Sequence, residues 1–245
     1  EYNIDQDIHF NQKGEFTSIY SSKGYTGIIG MPKLPQYSTM IMLDPLKEYD
    51  ISYEIKSSRI IHDIRITPNQ HMINGLEKES IEDVNMEFYN SQNTYPYVSV
   101  LLSEPMIMRD IVTSNLIVVP FKYTPSKNQL EIYETIKIHV TQTGNREDIR
   151  KRDLPKSKVF EKIYQNEILN YSQSQRDDEY QPSSILYICS SSIESNGIFQ
   201  QLVEWRRQRG YVVYTASLSE TGSSASSIKN YIENAYENYS PAPEY

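Results

Sequence analysis

Short apolar runs separated by Gly, Pro and Asn occupy the first 143 positions of the chain, and no long helical period interrupts them. In the last run, apolar residues alternate with polar ones and share one face; they are Leu130, Ile132, Ile136, Ile138 and Val140. Such alternation is typical of half-buried strands. The clearest runs are 16–20, 39–43, 49–55, 59–66, 97–102, 115–119 and 129–140. Together they predict an antiparallel β-sandwich of about ten strands.

A different pattern begins with five apolar or small residues at 185–189, followed by a Ser-rich turn. Apolar residues then recur at helical spacing from 198 to 205, and Gly210 stands just past the expected helix end. The apolar run 211–215 predicts a second strand. Because a helix connects the two strands, they should be parallel, with a right-handed crossover.

A second helix is expected from about 225 to 239, with Ser223 or Ser224 as its N-cap. Two parallel strands and two helices do not complete a core, since parallel sheets are normally buried on both faces. We therefore expect an incomplete α/β subdomain, and a natural polypeptide that continues past Tyr245 into a third strand.

Several stretches resemble gingipain-type cysteine peptidases. In that family's catalytic domain, an apolar strand leads to a helix ending in W-K/R-x-Q-x-G, and P-x-Y enters the third strand. The matching stretches here are 185–189, 202–210, 228–239 and 241–245. Upstream, GMPKLP at 30–35 and VPFKYTP at 119–125 resemble recurrent motifs of the family's propeptide.

The resemblance implies a multidomain chain: a β-sandwich propeptide at 1–145, a linker with a short helix and the activation cleavage region at 146–182, and the truncated start of a caspase-like α/β catalytic domain at 183–245. It implies the N-terminal zymogen portion of a secreted cysteine endopeptidase, whose propeptide maintains latency and assists folding. Its partners would be its own catalytic domain and protein or peptide substrates. The catalytic His and Cys, which would perform acyl transfer, would lie beyond this chain.

The linker contains two candidate activation sites. In the resembling family, activation cuts after a basic residue some ten residues before the first catalytic-domain strand. Arg176, nine residues before Ile185, fits that position, and Arg152 is a second, earlier candidate. The alternative is that Arg176 is an ordinary solvated linker residue.

A third arginine is a candidate for the inhibitory residue of the propeptide. The resemblance implies a propeptide loop whose basic side chain fills the substrate pocket, where a guanidinium would pair with a carboxylate. Arg109 lies between two predicted strands and is our candidate; Lys122 and Arg65 are weaker ones. The alternative is that Arg109 is an ordinary exposed arginine.

The remaining chemistry is sparse. Cys189 ends a predicted strand, where it is either a nucleophile or a buried small residue, and we favour the second because no His lies in the same segment. The four histidines lack metal-ligand spacing, so we predict no metal site and no required cofactor here. The resemblance allows calcium in the complete catalytic domain.

Charge and hydropathy exclude two classes of partner. A net charge of −8 gives no basic field for nucleic acid, and no apolar run is long enough to span a membrane. The resemblance implies secretion or a bacterial cell-surface location, with the signal peptide already removed. A second interpretation stays open: a non-catalytic secreted β-sandwich module that binds carbohydrate or a cell-surface protein, joined to a degenerate α/β domain. The 21 tyrosines could form a sugar-binding platform, but Tyr also suits half-buried strands, and we favour that explanation.

Overall fold

The computed structural model describes residues 7–73, 76–77, 80–150, 152–172 and 180–245. The chain divides into two compact units. Unit 1 contains residues 1–40, 47–105 and 114–146, and unit 2 contains residues 41–46, 106–113 and 147–245. Unit 2 thus draws two short segments from the strand-rich part of the sequence. The domain boundaries given above from the resemblance stay a prediction.

The first part of the chain consists mainly of antiparallel strands, as the alternating pattern predicts. The strands are β1 His9–Lys13, β2 Phe16–Tyr20, β3 Gly24–Tyr25, β4 Pro35–Leu43, β5 Lys47–Ile61, β6 Met72–Ile73, β7 Leu76–Glu77, β8 Val100–Leu102, β9 Met106–Met108, β10 Ile111–Val118, β11 Phe121–Thr124 and β12 Gln129–Asn145. One sheet has the order β3-β4-β10-β8, with β9 also paired to β10, and another has the order β11-β12-β5. A four-residue helix, α1 Met86–Tyr89, lies between β7 and β8.

One predicted strand ends earlier than its apolar pattern suggests. The run 59–66 continues β5 only to Ile61, where its pairing with Leu130 of β12 ends. Asp63 then has a φ of 55°, in the left-handed region that strands do not use. A turn therefore separates Ile61 from the buried Ile64, which joins the core independently of β5.

The core of unit 1 contains both motifs that resemble the family's propeptide. Leu34 from the first motif, and Phe121 and Tyr123 from the second, are all 0% exposed. Gly30 opens the first motif with a φ of 78°, and a Cβ there would lie 3.0 Å from the backbone nitrogen of Asn85. The motif therefore needs glycine at this position for both conformation and space.

Unit 2 contains the predicted α/β pattern. The predicted linker contains α2 Lys158–Glu167. The elements after the linker are β13 Ser184–Cys189, α3 Ser191–Glu194, α4 Gly197–Gln208, β14 Val212–Ser217, α5 Leu218–Thr221 and α6 Ala225–Asn238. β13 and β14 pair in parallel, as expected for strands connected by a helix. Gly210 follows α4 with a φ of 89°, and the Ser224 side chain caps α6 by accepting from the Ser227 amide. These predictions are confirmed.

The chain returns to the free edge of β13 at its last residues. The amide of Glu244 donates to the carbonyl of Ser184 at 3.1 Å, and the amide of Leu186 donates to the carbonyl of Tyr245 at 2.9 Å. These bonds extend the two-stranded ladder in the way a third strand would. They also fix the backbone of Glu244 beside β13.

Candidate functional site

A tight turn between β9 and β10 carries Arg109. The two strands are joined only by Arg109 and Asp110, and Arg109 has a φ of 57°. Two-residue hairpin turns often need a positive φ, but glycine or asparagine is the usual choice. An arginine here implies that contacts with its surroundings hold the turn in place.

The backbone carbonyls of the turn are all held by side-chain donors. Tyr164 of α2 donates its hydroxyl to the carbonyl of Met108 at 2.9 Å and to the carboxylate of Asp110 at 2.8 Å. Tyr236 of α6 donates to the carbonyl of Arg109 at 2.8 Å. The guanidinium of Arg150 donates to the Asp110 carbonyl at 2.9 Å. Donors from three segments therefore position this turn within unit 2.

The Arg109 side chain is buried, with 2% of its surface exposed. Its Nη1 donates to the carbonyl of Pro155 at 2.9 Å, and its guanidinium carbon lies 5.5 Å from the centre of the Phe160 ring. The expectation of an ordinary exposed arginine is therefore wrong. Position 109 lies between strands, as the sequence predicts, but its side chain points into unit 2.

Two carboxylates face the buried guanidinium. Nη1 of Arg109 lies 3.5 Å from Oδ1 of Asp110, and Nη2 lies 4.0 Å from Oε1 of Glu244, whose side chain is 1% exposed. Among the described residues, neither Nε nor Nη2 of Arg109, nor either carboxylate oxygen of Glu244, has a hydrogen-bond partner. Removing the charge of Arg109 would leave the Glu244 carboxylate buried without its counter-charge, which is costly.

A cavity of about 420 Å³ lies beside this pair, in unit 2. Its lining combines arginines, acidic residues and apolar side chains: Ile107, Arg109, Ile149, Arg150, Arg152, Phe160, Glu233, Tyr236, Glu237 and Pro243. The mixture of both charge signs does not favour a ligand of either sign.

Burial raises the pKa of the Tyr164 phenol, and the Asp110 carboxylate beside it acts in the same direction. The neutral phenol therefore stabilises the fold below the unfolded-state pKa of about 10, and this contribution declines as the pH rises above it. We expect Tyr164→Phe to reduce the loss of unit 2 stability between pH 10 and 11 by up to about 1 kcal/mol. Urea unfolding at pH 10 and pH 11, followed by the fluorescence of Trp205, the single tryptophan, measures this difference in stability. Tyr20→Phe is the control, because Tyr20 is exposed. The prediction is contradicted if stability falls with pH as steeply in Tyr164→Phe as in the wild type.

Of the other sequence candidates, Arg152 lines the same cavity as Arg109, whereas Arg65 does not. Arg176 lies outside the described residues. Arg152 donates to carbonyls at the C-terminal end of α6. Arg65 pairs with Glu15 at 2.7 Å in unit 1. Glu244 is not a candidate from the sequence, although it lies in the closing stretch 241–245. Its contacts are with residues distant in sequence, and such contacts leave no local pattern.

Cys189 ends β13, as predicted, but it is only partly buried, so the preferred expectation of a buried residue is wrong. Burial, followed by the Glu194 carboxylate, raises the pKa of its thiol, the opposite of what a nucleophilic thiolate needs. Across the described ranges, no three His, Cys, Asp or Glu residues lie close enough to hold a metal ion, and no helix is long and apolar enough to cross a membrane.

Comparison with known families divides the chain after residue 177, which is not the boundary between the two compact units. Residues 10–177 match Propeptide_C25, and residues 178–245 match Peptidase family C25. The class is therefore a peptidase propeptide followed by the beginning of a peptidase domain. The chain belongs to the C25 propeptide family, and its last residues open a C25 peptidase domain.

The similar proteins are gingipains of Porphyromonas gingivalis. Gingipain R2 is 25% identical over 91% of this chain, and Gingipain R1 is also 25% identical over 91%. The chain spans 32% of the length of Gingipain R2 and 24% of the length of Gingipain R1. A solved complex of the RgpB pro- and mature domains is 25% identical, with a TM-score of 0.54, over 67% of this chain and 87% of that one. The resemblance noted in the sequence is confirmed.

The two residues of the buried ion pair belong to different family matches. Arg109 belongs to the propeptide stretch, 10–177, whereas Glu244 and Tyr236 belong to the peptidase stretch, 178–245. The hairpin turn of the propeptide stretch is thus bound by the peptidase stretch.

Proposed function

We propose that this chain is the latent N-terminal portion of a secreted gingipain-like cysteine endopeptidase. Its propeptide stretch would keep the peptidase inactive and assist its folding. The complete enzyme would hydrolyse protein or peptide substrates by acyl transfer, with a cysteine thiolate as nucleophile and a histidine as base, both outside these residues. The family order supports this function over the carbohydrate- or surface-protein-binding module.

The observation that carries the proposal is the buried contact between Arg109 and Glu244. A guanidinium from the propeptide stretch and a carboxylate from the peptidase stretch are removed from water together. Removing one member of such a pair leaves the other charge buried and unpaired, so variants of this contact report whether the two stretches are associated. Arg109 is our candidate for the residue through which the propeptide imposes latency.

The finer architecture belongs to the same proposal. We infer an antiparallel β-sandwich for the propeptide and a caspase-like parallel sheet for the peptidase domain, with the boundaries 1–145, 146–182 and 183–245. Calcium would belong to the complete catalytic domain.

Activation would follow cleavage after Arg176, with Arg152 as a second site. We expect the gene product extended to its natural end to gain activity on Arg- and Lys-peptide amides only after fragments ending at Arg176 have appeared. Arg176→Gln should slow both events by about a hundredfold or more, because a peptidase pocket built for a guanidinium strongly rejects a side chain without it. Fragment masses and amide hydrolysis are followed together over time.

Arg59→Gln is the matched control, because Arg59 forms an exposed ion pair with Glu134 in β12 and lies far from the linker in sequence. It should process and activate like the wild type. Cleavage that never leads to amide hydrolysis would overturn the proposed function. Activation at an unchanged rate in Arg176→Gln would overturn only the assignment of the site.

A further inference from the structure

The last turn of α6 binds a guanidinium from the linker. Nη1 of Arg152 donates to the carbonyls of Glu237 at 3.0 Å and Tyr239 at 2.8 Å, with a longer contact to that of Tyr236 at 3.3 Å. The final carbonyls of a helix have no partners within the helix, and the helix dipole places partial negative charge there. A cation at this position satisfies both requirements.

The same turn also binds the Arg109 hairpin. Tyr236 donates its hydroxyl to the carbonyl of Arg109, so one turn of α6 accepts from Arg152 and donates to the hairpin. Both partners come from the propeptide stretch, whereas α6 lies in the peptidase stretch. Two separate segments of the propeptide therefore converge on one turn of one helix.

We propose that the C-terminal turn of α6 is a docking surface for the propeptide, that Arg152 is the residue it binds, and that this docking makes the bond after Arg152 a late cleavage site. The proposal rests on the proposed function, in which the linker is cut after Arg176. A peptidase that cleaves after arginine must enclose the guanidinium in its own pocket. The Arg152 side chain cannot occupy that pocket while it caps α6.

The consequence is an order of events. Cleavage after Arg176 leaves the Arg152 and Arg109 contacts to α6 intact, so the propeptide stays bound to the nicked chain. Cleavage after Arg152 requires that its side chain first leave the helix. The rate of that second cut should therefore follow the stability of α6, a helix more than 70 positions further along the sequence.

The test changes α6 without touching any contact residue. Asn234 is exposed in α6, and Asn234→Gly and Asn234→Ala remove the same side chain but differ in helix propensity. The 245-residue chain is treated with an added arginine-specific peptidase, and mass spectrometry follows products ending at Arg152 and at Arg176. We expect cleavage at Arg152 to be about fivefold faster in the glycine variant than in the alanine variant, with cleavage at Arg176 equal.

A matched pair in another helix provides the control. Gln201 is exposed in α4, and Gln201→Gly against Gln201→Ala should leave the Arg152 rate unchanged. Equal Arg152 rates in the two Asn234 variants would overturn the proposal, as would equal acceleration at Arg152 and Arg176, which indicates general loosening. The added peptidase supplies the activity, so the result is independent of whether the complete protein is an active enzyme.

Discussion

Arg109→Met is expected to lower the free energy of unfolding of unit 2 by about 3–5 kcal/mol, because it leaves the buried carboxylate of Glu244 without its counter-charge. The loss includes the charge-assisted bond from Arg109 to the carbonyl of Pro155. Trp205 is the single tryptophan and lies in unit 2, so its fluorescence during urea unfolding reports this unit.

The matched control for this change is Arg59→Met. Arg59 lies 3.7 Å from Glu134, but the two side chains are 38% and 42% exposed. Exposed pairs contribute little, so this variant should unfold within about 0.5 kcal/mol of the wild type. An equally small effect for Arg109→Met would show that Arg109 is solvated in solution.

Phe121→Ala is expected to destabilise unit 1 by about 3–5 kcal/mol, because truncating a fully buried aromatic residue leaves a cavity. Phe121 pairs with Ile132 across β11 and β12, and both are 0% exposed. Native-state hydrogen exchange of the β11 and β12 amides measures the loss within unit 1.

Leu101→Ala is the control, since Leu101 lies in the same unit but is 50% exposed. It should change amide protection by less than about 1 kcal/mol. Similar losses for the two variants would mean that the second upstream motif does not lie in the core.

Elements with a strong local pattern were predictable from the sequence. β2 lies at Phe16–Tyr20, the run that the sequence predicts, and Ser224 caps α6 as predicted. Gly210 ends α4 for the same local reason, because a residue at C′ with a positive φ favours glycine. Each of these features depends on residues a few positions apart.

The short helices and the contacts of Arg109 could not be predicted, because they leave no local pattern in the sequence. α3 and α5 are four residues long, too short to show a helical period. Tyr236 lies 127 positions from Arg109, whose carbonyl accepts its hydroxyl bond. Long-range polar contacts leave no local pattern, so the sequence could nominate Arg109 but could not show that it is buried.

The coupling energy between Arg109 and Glu244 tests the central claim most directly, since that claim is that the peptidase stretch binds the propeptide hairpin. It is obtained from the unfolding free energies of Arg109→Met, Glu244→Leu and the double variant. We predict a coupling of about 1–3 kcal/mol, with the double variant more stable than the sum of the single losses implies. Losses that add to within about 0.5 kcal/mol would show that the two residues do not interact, and would contradict the account.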